Sequence, residues 1–109
     1  MKDDRLYLIH ISECIERIES YAEAIDKQEF MNSTLLQDAI VRNLQTLSES
    51  TQRLSDQIKE TESEIDWFKI AGFRNVLVHD YLGLDIERVW NILKKDMPIL
   101  KKAIQKMLE

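Results

Sequence analysis

The segment FRNVLVHDY at residues 73–81 combines an arginine, an asparagine, a histidine and a tyrosine with apolar side chains. Arg74 and His79 are five residues apart, so on a helix they stand about 140° apart and flank a groove. Asn75 lies four residues before His79, which makes the two side chains neighbours on one helix face. Arginine can bind phosphate oxygens bidentately, and histidine can move a proton near neutral pH. This spacing therefore suits a phosphate held between a fixed cation and a titratable imidazole.

The same segment predicts a helix with two different faces. One face, which is sufficient to pack against other helices, carries Ile70, Phe73, Val76 and Leu77. The other face carries Arg74, Asn75, Val78, His79 and Leu82, preceded by Trp67 and Ala71. A monomer would have to bury an unpaired arginine or expose apolar side chains on this second face, and both are unfavourable. Pairing the face with a second copy resolves both problems, so we expect a two-fold homodimer with two arginines and two histidines in one cleft.

Three predicted helices lead up to and include this segment. Apolar residues at alternating steps of three and four indicate a first helix at about residues 4–26. The same rhythm indicates a second helix from an N-cap cluster near residue 32 to about residue 59. The third helix, at about residues 66–81, contains the polar segment and ends near Gly83, where a C-terminal glycine is expected.

A fourth helix follows Asp85, which can cap it. Pro98 lacks a backbone donor, so this helix should kink or restart near Asp96. The connections between the four helices are short, and the chain contains no internal repeat or long linker. We therefore expect one domain over residues 1–109: an all-α, antiparallel four-helix bundle with a short kinked C-terminal helix after Pro98.

Composition agrees with a helical globular protein. Hydrophobic residues make up 44% and charged residues 32% of the chain, which is a globular rather than a disordered mixture. Two glycines and one proline favour long helices over a fold with many turns. No apolar run approaches the ~18 residues of a membrane span. Acidic residues stand where a secretory signal would be basic, so we expect a cytoplasmic protein with no membrane partner.

The net charge is −5, so the surface as a whole does not attract phosphate backbones. Any nucleic acid would have to bind a local patch, and we expect no DNA partner. One basic patch near the C-terminus consists of Lys94, Lys95, Lys101, Lys102 and Lys106. The favoured interpretation of these lysines is a solvated helix face that complements the helix dipole.

Several common sites are missing from the sequence. No set of histidine, aspartate and glutamate has convincing metal-ligand spacing, and no glycine-rich phosphate loop or Gly-x-Ser-x-Gly elbow occurs. We expect no catalytic metal and no cofactor. Cys14 is the single cysteine and lies between apolar helical positions, so buried packing is predicted. His10 has no accompanying motif and is interpreted as structural, and Trp67 and Trp90 are predicted to be core residues.

Residues 74–81 resemble the Arg-x-x-x-x-His-x-Tyr signature of HEPN domains, in particular of the HepT-like toxins. The polar residue directly after the arginine also fits that pattern. The resemblance extends to Trp67 and the Ile-Ala-Gly lead-in, to the turn at Gly83 and to the Val-Trp pair ending at Trp90. Residues 42–49 are similar to the family's second helix. They depart from it where Ser48-Glu49-Ser50 replaces a common Gly-Glu-Ala, which keeps the glutamate.

The resemblance implies a metal-independent ribonuclease in which the ribose 2′-hydroxyl attacks the neighbouring phosphate. It implies that His79 is the general acid/base, that Arg74 stabilises the phosphorane charge, and that Asn75 positions RNA or orients His79. The site would form across a homodimer. The family further implies a cognate minimal nucleotidyltransferase antitoxin, which in some pairs adenylylates the motif tyrosine, here Tyr81. The added bulk and negative charge would block RNA.

Other interpretations of these residues stay open. Arg74 could be an ion-pair partner of Glu49 or Asp80, and Glu49 is the weakest site candidate because it could be an ordinary acid on a helix face. Tyr81 could cap the bundle with its ring buried and its hydroxyl in water. A second functional hypothesis is a non-catalytic dimeric module that binds a nucleotide or a partner protein in the same cleft. A purely structural bundle would explain the helices but not the polar second face.

Overall fold

The computed structural model of the chain describes residues 3–78 and 85–109, with the backbone alone described at 75–78. Within these ranges the chain forms helices and turns and no strand, so the all-α prediction is confirmed. The helices, in chain order, are α1 (Asp4–Ala22), α2 (Lys27–Met31), α3 (Thr34–Gln52), α4 (Asp56–Glu60), α5 (Trp67–Val78), α6 (Ile86–Asn91), a π-helical turn (Ile92–Asp96) and α7 (Met97–Leu108).

The core of the bundle lies between α1 and α3, which are the two longest helices. α7 also packs on α1, and α5 packs on α3. The predicted apolar stripes of the two long helices are buried, as Ile15 of α1 and Leu44 of α3 illustrate. Cys14 is fully buried, as predicted, and this burial raises the pKa of its thiol. A cysteine in such a place packs like a small apolar residue.

The second predicted helix was too long, because α3 ends at Gln52 rather than near residue 59. Ser55 starts a separate short helix, α4, by accepting a hydrogen bond on its Oγ from the backbone N–H of Ile58 at 3.2 Å. The backbone N–H and the hydroxyl of Ser55 also donate to the Asp4 carboxylate at 2.9 and 2.6 Å. The apolar rhythm continued through this break because Leu54 and Ile58 still face the core.

The first predicted helix was also too long, since α1 ends at Ala22 and α2 follows it. Asp26 starts α2 through a capping box. Its side chain accepts from the backbone N–H of Glu29 at 2.9 Å, and the Glu29 side chain accepts from the backbone N–H of Asp26 at 3.0 Å. Phe30 of α2 is fully buried. This small helix was not predicted, because five residues are too few to show a helical period.

The C-terminal half of the bundle follows the prediction. Asp85 caps α6 by accepting from the backbone N–H of Arg88 at 3.1 Å. The helix then widens into the π turn at Ile92–Asp96 and resumes as α7, with Pro98 in its first turn. The predicted interruption near Asp96 is therefore confirmed. A proline without an N–H cannot continue a regular helix from the preceding turn, whereas the first turn of a new helix tolerates it.

Both tryptophans belong to the core, as predicted. The rings of Trp90 and Phe30 lie 5.4 Å apart between centroids, and the Lys94 ammonium sits 4.6 Å from the Trp90 ring centre. Trp67 packs against the core, and its Nε1–H donates to the carbonyls of Lys59 and Glu62 at 3.2 and 3.3 Å. Its assignment to the outward face of the third helix was therefore wrong. None of the helices in the described ranges combines the length and apolarity needed to cross a membrane.

Candidate functional site

The helix α5 is held in place at its start and along its inner face. Asp66 caps it by accepting from the backbone N–H of Lys69 at 2.9 Å. Ile70 and Phe73 are buried, Phe73 with 2% of its surface exposed, and the helix packs on α3. The predicted inner face is confirmed at these two residues. The side chains of Val76 and Leu77, which complete the predicted stripe, lie outside the described residues.

The outward face of α5 is open in the described part of the chain. Phe68 exposes 89% of its surface, although a phenylalanine gains free energy when it leaves water. A methyl group added at Gly72 would meet no side chain or neighbouring backbone within 4 Å. Arg74 is also exposed. Phe68 and Gly72 are four residues apart and lie on one side of the helix, which we call the open face of α5. Arg74 stands about 120° from Phe68 and about 160° from Gly72 around the helix, on the flank that meets α3. The exposure of Arg74 agrees with its predicted place on the second face.

Arg74 lies beside Glu49, the weakest candidate from the sequence. The Nε of Arg74 is 3.9 Å from Oε2 of Glu49, and the two side chains are 53% and 52% exposed. This separation exceeds a hydrogen bond, and an ion pair so open to water contributes only about 0–1 kcal/mol to stability. The alternative of an Arg74–Glu49 ion pair is therefore realised, but in a form that leaves the guanidinium accessible.

Gln52 forms a second contact between α3 and α5 next to this pair, and it was not predicted from the sequence. Its side-chain amide donates to the backbone carbonyl of Ala71 at 3.5 Å. Residue 49 thus lies opposite residue 74, and residue 52 opposite residue 71, so α3 and α5 run antiparallel at the site. Gln52 stands three residues after Glu49, which is helix-neighbour spacing. That spacing was the available signal, but the facing helix was not known from the sequence.

The other predicted site residues fall outside the part of the chain that the structure describes. His79 and Tyr81 lie outside the described residues, as do Asp80, Gly83 and the side chain of Asn75. The described part of α5 ends at Val78, one residue before His79. The structure therefore brings Arg74 and Glu49 together. The groove between Arg74 and His79 and the roles of Asn75 and Tyr81 stay predictions.

Two further interpretations can be compared with the structure. Of the C-terminal lysines, Lys101 pairs with Glu19 at 2.9 Å, and Lys106 approaches Glu62 at 4.0 Å. These contacts fit the interpretation of a charged, solvated helix face. Among residues 3–78 and 85–109, no three histidine, cysteine, aspartate or glutamate side chains are grouped as metal ligands would be.

Comparison with known proteins extends over nearly the whole chain. The family model described as Ribonuclease HepT-like matches residues 11–107. A protein of Thermococcus cleftensis named "Probable ribonuclease HepT" is 33% identical over 93% of this chain and 92% of its own length. A "Putative RNase" of Caldanaerobacter subterraneus subsp. tengcongensis is 31% identical over 100% of this chain and 97% of its own.

A third relative is longer than this chain. A protein of Methanocaldococcus jannaschii named "Gamma-glutamylcyclotransferase and putative RNase" is 37% identical over 99% of this chain, which spans 49% of that relative's length. No solved structure gives a significant match. The family match covers the helices that carry Glu49 and Arg74 and continues through the Arg-x-x-x-x-His-x-Tyr segment. The chain belongs to the HepT-like family of HEPN ribonucleases.

Proposed function

We propose that this protein is the toxin of a toxin–antitoxin pair and that it cuts RNA without a metal ion. The observation that carries the proposal is the position of Arg74. It is half exposed on the flank of α5 beside α3, it makes only a loose contact with Glu49, and it lies five residues before His79. An accessible guanidinium can accept a phosphate bidentately. The relatives named as ribonucleases support RNA as the source of that phosphate.

The proposed reaction is an internal transesterification of RNA. The ribose 2′-oxygen forms a bond to the adjacent phosphorus, and the bond from phosphorus to the 5′-oxygen breaks. A base takes the 2′-hydroxyl proton, and an acid supplies a proton to the leaving 5′-oxygen. His79 fills these roles, and Arg74 stabilises the extra negative charge on the phosphorane. Asn75 positions the RNA or orients His79. The products are a cyclic phosphate and a free 5′-hydroxyl.

A homodimer would supply the second titratable group. The open face of α5 exposes Phe68 and leaves free space above Gly72, which suits contact with another protein surface. A two-fold axis beside this face would bring two copies of Arg74 and two of His79 into one cleft. One histidine could then act as the base while its counterpart acts as the acid.

The antitoxin partner would be a minimal nucleotidyltransferase. The Tyr81 hydroxyl would attack the α-phosphate of ATP, taking AMP and releasing pyrophosphate, which would place a negatively charged group two residues after His79. This charge would repel the RNA phosphates, and the nucleotide would fill the approach to Arg74. Tyr81 is thus a regulatory acceptor in this proposal and has no part in the chemical step.

The decisive experiment uses purified, AMP-free protein with total transfer and messenger RNA in the presence of EDTA. Arg74→Ala and His79→Ala are compared with the parent, and fragment ends are identified chemically. We expect fragments with cyclic phosphate and 5′-hydroxyl ends from the parent, and none from either folded variant. A dimeric, AMP-free parent that leaves all RNA intact would instead support a non-catalytic module that binds a nucleotide or a partner protein.

The antitoxin proposal has its own test. The parent and Tyr81→Phe are each incubated with the cognate nucleotidyltransferase and ATP, then assayed for RNA cleavage and for added mass. We expect the parent to gain the mass of AMP and lose activity, and Tyr81→Phe to do neither. Neutralisation of Tyr81→Phe without added mass would show that the antitoxin acts by binding alone.

A further inference from the structure

We propose that Arg42 of α3 and Arg53, which directly follows α3, extend Arg74 into a surface that binds the RNA backbone. We call these three residues the arginine ridge. The inference rests on the proposed ribonuclease function and adds to it the path of the substrate across the protein. All three arginines are exposed, and none of them belongs to the basic patch near the C-terminus.

The ridge is straight because of helical spacing. Arg42 lies seven residues before Glu49 on α3, and Arg53 lies four residues after it. Arg53 is the first residue after α3 and keeps right-handed helical backbone angles, φ −87° and ψ −9°. Seven residues are nearly two turns and four are about one turn, so the three side chains project from one side of the helix. At 1.5 Å per residue, Arg42 is about 10 Å and Arg53 about 6 Å from Glu49 along the axis.

Arg74 stands between Arg42 and Arg53. It faces Glu49 across the seam, and the two helices are antiparallel there. Arg42 is therefore displaced toward the end of α5, where the chain continues into the segment with His79. Arg53 is displaced toward the beginning of α5. A chain of phosphates that follows the seam would meet Arg42, Arg74 and Arg53 in turn.

Arg42 and Arg53 differ from several other surface cations in that they form no ion pair with the described residues. Lys27, Lys69 and Lys101 each form an ion pair of 2.9–3.0 Å with a carboxylate. Arg42 and Arg53 form no ion pair within 4.0 Å with any residue of 3–78 or 85–109. Their charge is thus available to a ligand from solution. A positively charged strip that follows the backbone is what proteins use to bind single-stranded RNA without reading its sequence.

The side chains between the arginines favour RNA over a protein partner. Between residues 42 and 53, the accessible positions of α3 are polar: Asn43, Gln45, Thr46, Glu49 and Gln52. A protein interface normally has an apolar centre, whereas a phosphate backbone needs cations and hydrogen-bond donors. Two acids, Asp38 and Glu49, lie on the same side of α3. Their negative charge should keep RNA binding weak, so that the cleaved RNA is released. We also expect the ridge to bind RNA without preference for its sequence.

The test measures RNA binding apart from cleavage. All proteins carry His79→Ala, so the probe stays intact, and the probe is a fluorescein-labelled single-stranded RNA of mixed sequence. Anisotropy gives the Kd between about 50 and 200 mM salt, the range in which phosphate contacts dominate. Arg42→Gln, Arg53→Gln and the double variant are compared with Lys102→Gln. That control removes one exposed positive charge from α7, which packs against α1 and the π turn.

We expect Arg42→Gln and Arg53→Gln each to weaken binding about fivefold at low salt. Each should also reduce the slope of log affinity against log salt by about 0.7, the value for one phosphate contact with a single strand. Arg42→Lys should keep most of the slope because it keeps the charge, and Lys102→Gln should match the parent. Arg42, Arg53 and Lys102 are all exposed, and circular dichroism will verify that each variant folds.

Four results would contradict this proposal or separate it from the ribonuclease. If Arg42→Gln and Arg53→Gln match Lys102→Gln in both Kd and slope, the RNA follows another path and the ridge is wrong. If the two variants keep their RNA affinity but no longer bind the nucleotidyltransferase, the ridge is a protein-docking surface instead. If RNA binds through the ridge and a protein with intact His79 never cuts it, the proposed function fails while the ridge stands. A parent that does not bind RNA contradicts both.

Discussion

Arg74 Nε and Glu49 Oε2 lie 3.9 Å apart across the seam between α5 and α3, and about half of each side chain remains in water. The acid therefore occupies the neighbourhood in which a phosphate would bind to the guanidinium. Because the pair is solvated and long, it contributes little to folding. Its main effect is electrostatic: Glu49 reduces the positive potential that Arg74 presents to RNA. Glu49 therefore competes with a phosphate for Arg74. A substitution at Glu49 should change RNA binding without changing stability.

Replacing Glu49 by glutamine should strengthen RNA binding without harming the fold. The charge beside Arg74 disappears while the side-chain volume is kept, so affinity for a single-stranded RNA at low salt should rise about two- to fivefold. The free energy of unfolding should change by no more than about 0.5 kcal/mol. Anisotropy and urea denaturation measure the two quantities. Glu16→Gln, which removes an exposed acid from α1, is the control and should leave affinity unchanged. Weaker binding in Glu49→Gln would mean that Glu49 orients Arg74 for the phosphate.

Replacing Arg74 by lysine should separate the charge of this residue from its geometry. Lysine keeps the cation but loses the planar fork that matches a phosphate. Loss of one preorganised group at a developing negative charge costs about 100- to 1,000-fold in kcat, and Arg74→Lys should recover only part of what Arg74→Ala loses. The rate of cyclic-phosphate formation under single turnover is the measurement. Full activity of Arg74→Lys would indicate that a point charge suffices and that bidentate contact is absent.

The fold was largely predictable because the long helices bury regular apolar stripes, one with Ile15 on α1 and one with Leu44 on α3. The errors fell at breaks that depend on local polar contacts. Ser55 starts the separate helix α4 and bonds to Asp4, 51 residues earlier. The apolar rhythm runs through this break, so no periodicity in the sequence carries that information. The same is true of Asp26, whose capping box begins a helix too short to show a period.

The candidate site was predictable as far as its residues share one helix. The outward position of Arg74 followed from the helical wheel alone. Its contact with Glu49 and the role of Gln52 depend on how α3 and α5 align, which sequence spacing within one helix cannot determine. Trp67 was misplaced for a similar reason. Its indole N–H donates to the carbonyls of Lys59 in α4 and of Glu62 in the turn before α5, and this draws the ring toward the core.

The contact between Asp4 and Ser55 predicts a loss of stability in acid. The Ser55 hydroxyl, followed by its backbone N–H, lowers the pKa of Asp4 from 3.8 to about 2. Because the folded pKa lies below the unfolded one, this contribution is complete above about pH 4–5 and disappears as the pH falls toward 2. Asp4→Asn should lower the free energy of unfolding at pH 7 by about 1–2 kcal/mol.

The pH dependence identifies the cause of that loss. Urea denaturation at several pH values should show the difference between the parent and Asp4→Asn shrinking toward zero near pH 2. Asp3→Asn removes a neighbouring exposed acid and should follow the parent throughout. A deficit in Asp4→Asn that stays constant down to pH 2 would assign the effect to packing or hydrogen-bond geometry, with no contribution from the carboxylate charge.

The open face of α5 predicts that larger side chains at position 72 affect folding and dimerisation differently. Gly72 lies inside α5, and an added methyl group would meet nothing within 4 Å. Gly72→Ala should therefore stabilise the single chain by about 0.5–1 kcal/mol through helix propensity.

If a second copy packs closely on this face, Gly72→Leu should weaken the dimer at least tenfold while the helix content stays unchanged. Phe68→Ser should also weaken the dimer, because it removes apolar surface that only a partner could bury. Sedimentation equilibrium gives the dissociation constant, and Leu35→Ser, which removes another exposed apolar side chain from α3, is the control. Dimers of Gly72→Leu and Phe68→Ser as tight as the parent would place the two-fold contact away from α5 and would leave its open face for the RNA alone.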